Sequence, residues 1–161
     1  MSTQEVIVVG VDGSDCSRAA LEFAFDEAVR RRAAVRVVLA LPEFDHWATP
    51  YVVSPAMHDE LSADLEEVGR DMVDTVVGER GGAVAEVPVE VRAVSGTPGH
   101  ALVTEAADAD LLVVGHRGRG GLTSALLGSV GLQCVLHASV PVTVVRPAAR
   151  ALAAFEVPAG A

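Results

Sequence analysis

Two patterns of hydrophobic residues alternate along this chain: short unbroken apolar runs, and longer stretches with a single apolar face. An unbroken run bounded by glycine, proline or polar residues is typical of a strand that is buried on both faces of a sheet. Apolar residues that recur three and four positions apart predict an amphipathic helix. The predicted strands cover residues 6–11, 34–41, 87–94, 110–114 and 140–145.

A residue type that commonly caps helices stands at the start of each helical stretch. Ser14 precedes a predicted helix to residue 32, and Ser54, followed by proline, begins a second helix to about residue 77. Thr97 precedes a short helix to residue 107, and Ser129 is predicted to cap a helix that ends near residue 138. The second helix is expected to bury a stripe formed by Leu61, Leu65, Val68, Met72 and Val76.

This alternation of strands and helices favours an α/β fold, a single-domain three-layer sandwich in which helices cover both faces of a five-stranded parallel sheet. Right-handed crossovers leave few topologies, and we expect the strand order 3-2-1-4-5. In that order strands 1 and 4 are neighbours, and their helices leave on opposite sides. The loops that follow them, residues 12–14 and 115–118, then meet at the carboxyl edge of the sheet, where such folds bind ligands.

The residues after the fourth strand predict a phosphate site. Gly115 and Gly118 follow the strand, and Gly128-Ser129 follows at the start of a helix. Glycine lets the backbone turn and approach a ligand closely, and the free N–H groups and dipole of a helix start favour an anion. Two other phosphate motifs are absent from the sequence, because it holds no GxxxxGK[ST] segment and its first strand is followed by Asp-Gly-Ser-Asp instead of GxGxxG.

The charge balance limits which partners we expect. The 12 basic and 22 acidic residues give a formal net charge of −10, which argues against nucleic acid and anionic membranes because both favour a positive surface. An anionic ligand would need local donors, and Arg117 and Arg119 lie beside the glycines. The N-terminal segment has no basic region and only a short apolar run, so neither a signal peptide nor a membrane span is predicted. We expect a cytoplasmic protein.

One of the two cysteines and one long loop leave alternatives open. Cys16 and Cys134 form no CxxC pair and are expected to be reduced, and Cys16, near a helix start, is either a reactive thiol or a packing residue. The loop that holds Trp47 and Tyr51 is either a lid over the site or a loop that these rings hold in place.

The fifth predicted strand, residues 140–145, is an apolar edge strand, a feature that favours pairing with another chain. We therefore predict a homodimer joined along this strand. The alternative is that the alanine-rich tail, residues 147–161, folds back and covers the edge. Otherwise this tail is expected to be mobile.

Four segments between Val6 and Arg146 carry a resemblance: GVDGSDCSRAAL, DLLVVGHRGRGGL, LLGSV and HASVPVTVVRP. In them the chain resembles the universal stress protein family, and the glycine spacing is similar to that of its ATP-binding branch. The resemblance implies a universal stress protein domain over residues 1–146 with an adenine nucleotide α-hydrolase-like fold, followed by a tail over residues 147–161. It also agrees with the predicted dimer, because family members commonly dimerise through the fifth strand.

The resemblance implies roles for individual residues around an adenine nucleotide, ATP or AMP, whose phosphates are usually bridged by Mg²⁺. His116 and Arg117 are either solvated loop residues or ligand contacts, and Gly131 stands where many members carry a second serine. The residues expected at the adenosine are Gly10, Asp12, Ala40, Val114 and Gly115. The residues expected at the phosphates are Gly118, Gly128, Ser129 and Val130, together with Arg117 as a local donor.

Three functions follow from these observations, and we predict the first. It is a nucleotide-dependent regulatory homodimer in a stress response, which binds ATP or AMP with Mg²⁺ and acts on a protein partner that the sequence does not identify. The second is a slow ATP-hydrolysing or adenylate-transferring enzyme. The sequence supplies no evident base for an attacking water and no lysine at the phosphates, so at best a weak ATPase is expected. The third is an interaction scaffold that binds no nucleotide.

Overall fold

The computed structural model describes residues 4–43, 54–118 and 127–147. Within these ranges, strands and helices alternate, with one short 3₁₀ helix over Gly82–Glu86 between α2 and β3. The strands are β1 (Val6–Gly10), β2 (Ala34–Leu41), β3 (Val89–Ser95), β4 (Leu111–Gly115) and β5 (Val142–Val145). The helices are α1 (Asp15–Arg31), α2 (Pro55–Arg80), α3 (Pro98–Glu105) and α4 (Ser129–His137).

The strands form one parallel sheet in the order β3-β2-β1-β4-β5, which confirms the predicted fold class and topology. Val8 of the central strand pairs with Arg36 on one side and with Leu112 on the other. β1 lies at the centre because its inner residues are fully apolar and fully buried. β5 is an edge strand, as the sequence predicted.

Two hydrophobic cores lie on opposite faces of the sheet. Helices α1 and α2 cover one face, where Ile7 and Val9 pack with α1 residues such as Phe25. Helices α3 and α4 cover the other face, where Val8 packs with Leu102 and other residues of those helices. The residues of β1 belong alternately to the two cores, because successive side chains of a strand point to opposite faces. Helices α1 and α4 therefore leave β1 and β4 on opposite sides, as expected.

Three of the helices begin after the N-cap residue that the sequence predicted, Ser14, Ser54 and Thr97. The Ser14 hydroxyl accepts a hydrogen bond from the Ser17 N–H (3.2 Å), and Ser54 does the same for Met57 (3.2 Å). Thr97 occupies the N-cap position of α3, but its side chain makes no capping bond.

The prediction that Val68 of α2 lies in the core is wrong. Val68 is 50% exposed, whereas the next residue, Gly69, is buried against the sheet. A Cβ atom on Gly69 would lie 2.6 Å from Leu39 and 2.7 Å from Val91. The helix therefore turns its glycine towards the sheet, because the missing side chain lets the helix backbone pack on the side chains of Leu39 and Val91, and Val68 turns outward.

Several predictions concern residues outside the described ranges: the Trp47 and Tyr51 loop, Arg119, and the tail from residue 148 onward. Some boundaries also differ by a few residues, since β5 begins at Val142 and α2 continues to Arg80. In the described parts of the chain, none of the helices has the length and apolar character needed to cross a membrane.

Candidate functional site at the carboxyl edge of the sheet

The loops that follow β1 and β4 touch at the carboxyl edge of the sheet. A Cβ atom built on Gly118 would lie 2.8 Å from Oδ2 of Asp12. The two residues belong to different loops and are brought together because β1 and β4 are parallel neighbours. The predicted convergence of these loops is therefore confirmed.

The carboxylate of Asp12 is held by a tight turn. Its Oδ1 accepts a hydrogen bond from the N–H of Ser14 (2.9 Å), and its own N–H donates to the hydroxyl of Ser17 (3.3 Å). Gly13, between Asp12 and Ser14, has a φ of 81°, a conformation that favours glycine. Because Ser14 caps α1, Asp12 does not act as the cap, and its exposed carboxylate lies at the crevice.

Gly115, the last residue of β4, packs directly on the first turn of α1. A Cβ atom at this position would lie 2.8 Å from the carbonyl carbon and the carbonyl oxygen of Cys16. The contact is between backbones, so a side chain at position 115 would force β4 and α1 apart. Cys16 is half-buried, and these contacts involve its backbone and Cβ atom, so both readings of its thiol stay open.

The start of α4 is tied to the same loop through His116. The N–H of His116 donates to the carbonyl of Val145 (2.9 Å), and the carbonyl of His116 accepts from the N–H of Gly128 (2.7 Å). This second bond holds Gly128 in an extended conformation (φ −69°, ψ 160°), and Gly128 is the N-cap of α4. The prediction that Ser129 caps the helix is therefore wrong: Ser129 is the first helical residue.

This cap leaves the start of α4 suited to an anion. The carbonyl of Gly128 accepts the first helical bond, from the N–H of Leu132 (3.0 Å). The N-cap, Gly128, has no side chain that could cap the helix, and the N–H groups of its first turn have no partner within the helix. Ser129 is exposed beside these groups.

The remaining predicted site residues also lie at the carboxyl ends of the strands or at the α4 start. Gly10 ends β1, and a Cβ atom there would lie 2.7 Å from Leu102 of α3, so packing alone explains this glycine. Ala40 is half-buried near the end of β2. Val114 is 2% exposed, and Val130 packs partly buried against the same core, so neither presents a freely exposed side chain.

His116 lies beside two arginines at this edge of the sheet. The ring of His116 is half-buried, and its Nδ1 is buried without a hydrogen-bond partner among the residues that the structure describes. Burial lowers the pKa of His116, and the positive charges of Arg146 and Arg117 lower it further. The imidazole is thus neutral at neutral pH, and the positive charges of the two guanidinium groups favour this neutral form.

Arg146 was missing from the residues that sequence reasoning placed at the site. The predicted strand order contained the signal that could have found it. In a parallel pair, the residue that follows β5 lies beside the residue that follows β4, and the observed pairing of Val145 with Gly115 brings Arg146 level with His116.

The resemblance implied a Mg²⁺ ion, for which the described residues supply a weak donor set. Across the described ranges, no group of three histidine, cysteine, aspartate or glutamate side chains could hold a metal ion. Mg²⁺ in nucleotide sites is usually bound by one or two carboxylates and by phosphate oxygens. Asp12 could supply one such carboxylate, and the described residues by themselves do not form a metal site here.

The chain matches known proteins along most of its length. Residues 4–146 match the model described as the universal stress protein family. A universal stress protein of Mycobacterium tuberculosis is 41% identical over 144 residues, which are 87% of this chain and 45% of that protein. The chain therefore spans about half the length of the curated relatives it matches.

Solved structures agree with the fold. A universal stress protein crystallised in complex with cAMP is 28% identical, with a TM-score of 0.62 over 90% of this chain and 98% of that one. A universal stress protein from Lactobacillus plantarum is 24% identical and has a TM-score of 0.63, covering 91% of this chain and all of that one. The second similarity bears on the fold alone.

Proposed function

We propose that this chain, which belongs to the universal stress protein family, binds an adenine nucleotide at the carboxyl edge of its sheet. The observation that carries the proposal is the approach of the Asp12 carboxylate to Gly118, beside a helix start whose N-cap is a glycine. A carboxylate can accept hydrogen bonds from ribose hydroxyls, and free N–H groups at a helix start can bind phosphate. The similarity to a protein solved with cAMP supports the same ligand class.

In this proposal the two ends of the nucleotide meet different elements. The adenosine lies near the ends of β1, β2 and β4, against Gly10, Asp12, Ala40, Val114 and Gly115. The phosphates lie at the loop after β4 and the start of α4, against Arg117, Gly118, Gly128, Ser129 and Val130. The glycines let the loop after β4 pack closely on the start of α4, since a Cβ atom on Gly128 would lie 3.3 Å from the carbonyl of His116.

We further propose that the physiological ligand is ATP and that the chain acts as a regulatory homodimer. Any Mg²⁺ would be bound mainly by phosphate oxygens, with Asp12 as a single protein ligand. The apolar edge strand β5 supports pairing with a second chain. Sedimentation should then give twice the chain mass of 16.6 kDa, and a monomer at micromolar concentration would contradict the dimer.

The test of the site compares Gly118→Ala with Gly78→Ala. The new methyl group at position 118 would lie 2.8 Å from Oδ2 of Asp12 and displace that carboxylate, whereas position 78 has no atom within 4 Å. We expect Gly118→Ala to weaken ATP binding about tenfold, or about 1.4 kcal/mol, by calorimetry. Gly78→Ala should bind like the parent. If Gly118→Ala binds ATP as tightly as the parent does, the site assignment is wrong.

Two further measurements separate this function from its alternatives. Steady phosphate release from ATP by the pure protein would favour an enzyme, whereas retained nucleotide without turnover favours a regulatory role. Acid extraction of the purified protein should release an adenine nucleotide. An empty extract, together with no thermal shift on addition of ATP, would favour the nucleotide-free scaffold.

A further inference from the structure

Arginines supply all 12 basic residues of this chain, and most of the described ones are paired with carboxylates. Arg146 is an exception, because it forms no ion pair with any described residue. Arg32 is a second exception. It lies at the amino edge of the sheet, between the end of α1 and the start of β2. In a chain with a net charge of −10, an unpaired arginine is an available site for an anion.

The register of the sheet places Arg146 beside the loop after β4, residues 116–118, where we propose that the phosphates lie. Val145 pairs with Gly115 in the parallel ladder, and its carbonyl accepts the N–H of His116. Arg146 follows directly and is exposed, level with the loop that leads to Gly118. Its positive charge also lowers the pKa of His116, after the larger effect of burial, which agrees with the position that the register gives.

We propose that Arg146 binds the phosphate groups of the nucleotide and makes the site prefer ligands with a charged phosphate tail over the bare nucleoside. The proposal rests on the proposed function, because it concerns the same site. Arginine suits this role, since its planar guanidinium donates two parallel hydrogen bonds to a phosphate. The local charge also offsets the repulsion that an acidic chain exerts on an anion.

The test compares Arg146→Gln with Arg32→Gln, a matched loss of an unpaired arginine at the opposite edge. Calorimetry with ATP and with adenosine at one ionic strength should show ATP binding weakened about tenfold by Arg146→Gln. Adenosine binding should change less than about twofold, because adenosine carries no phosphate. Arg32→Gln should bind both ligands like the parent, and Arg146→Lys should recover part of the ATP affinity.

The outcomes distinguish the two proposals. If the parent binds ATP but Arg146→Gln loses as much affinity for adenosine as for ATP, Arg146 has a structural role and the inference fails alone. Unchanged ATP affinity in Arg146→Gln also overturns the inference and leaves the proposed function intact. If the parent binds neither ligand, both proposals fail together.

NMR titration of the His116 ring gives a readout that does not depend on affinity. Removing the charge in Arg146→Gln should raise the pKa of His116, and bound ATP should raise it in the parent. An unchanged His116 pKa in Arg146→Gln would place the guanidinium away from the loop and contradict the inference. Sedimentation of Arg146→Gln should match the parent, and a change in association with unchanged ATP affinity would assign Arg146 to a chain interface instead.

Discussion

Replacing Gly115 with alanine tests the junction on which the site is built. The new methyl carbon would lie 2.8 Å from two backbone atoms of Cys16 and 2.9 Å from its Cβ atom. Carbon atoms normally pack at about 3.5–4.0 Å. Because the neighbours are backbone atoms in the first turn of α1, neither side can yield without moving β4 or the helix.

The expected cost follows from two opposing effects. Overpacking of this kind costs about 1–3 kcal/mol, and replacing glycine with alanine returns about 0.4–1 kcal/mol by restricting the unfolded chain. Subtracting the middle of the second range, about 0.7 kcal/mol, from the middle of the first, about 2 kcal/mol, we expect the free energy of unfolding to fall by about 1.3 kcal/mol. For a domain of this size the melting temperature should then fall by about 3–5 °C.

Urea denaturation followed by far-UV circular dichroism measures this change. Gly78→Ala is the matched control, since position 78 lies in α2 with no atom within 4 Å. There the unfolded-chain effect acts alone, and we expect a gain of about 0.5–1 kcal/mol. If Gly115→Ala is as stable as Gly78→Ala, the close packing of β4 on α1 is refuted.

Two further predictions concern buried polar groups. Burial raises the pKa of Cys134 to about 11 from its ordinary value of 9.0. Because the unfolded thiol ionises first, stability should fall as pH rises from about 9 to about 11, and Cys134→Ala should flatten this loss in urea titrations. Nη1 of Arg36 donates to the carbonyl of Glu105 at the end of α3 and to Asp108, both at 2.8 Å. Arg36→Met should cost about 1–3 kcal/mol, whereas the exposed Arg70→Met should cost at most about 0.5 kcal/mol. Equal losses in the two variants would show that the buried arginine contributes no more than a surface pair.

The sequence alone determined the strands and the class of fold, because both depend on short-range patterns, namely unbroken apolar runs and helical spacing. The handedness of crossovers left few strand orders, and the expected order 3-2-1-4-5 is the one that the structure has. The cap of α1 at Ser14 was predictable for the same reason, because the bond that forms it spans three residues. The contact between the Asp12 and Gly118 loops then followed from the strand order.

Only the tertiary structure decided which residue acts at each contact between distant segments. Gly128 caps α4 instead of Ser129 because its N–H bonds to the carbonyl of His116, at the other end of the connection between β4 and α4. Val68 faces outward because the neighbouring glycine fits closer to the sheet. Arg146 lies level with His116 because β5 pairs with β4. These outcomes depend on register and close packing between segments far apart in sequence, which local patterns do not encode.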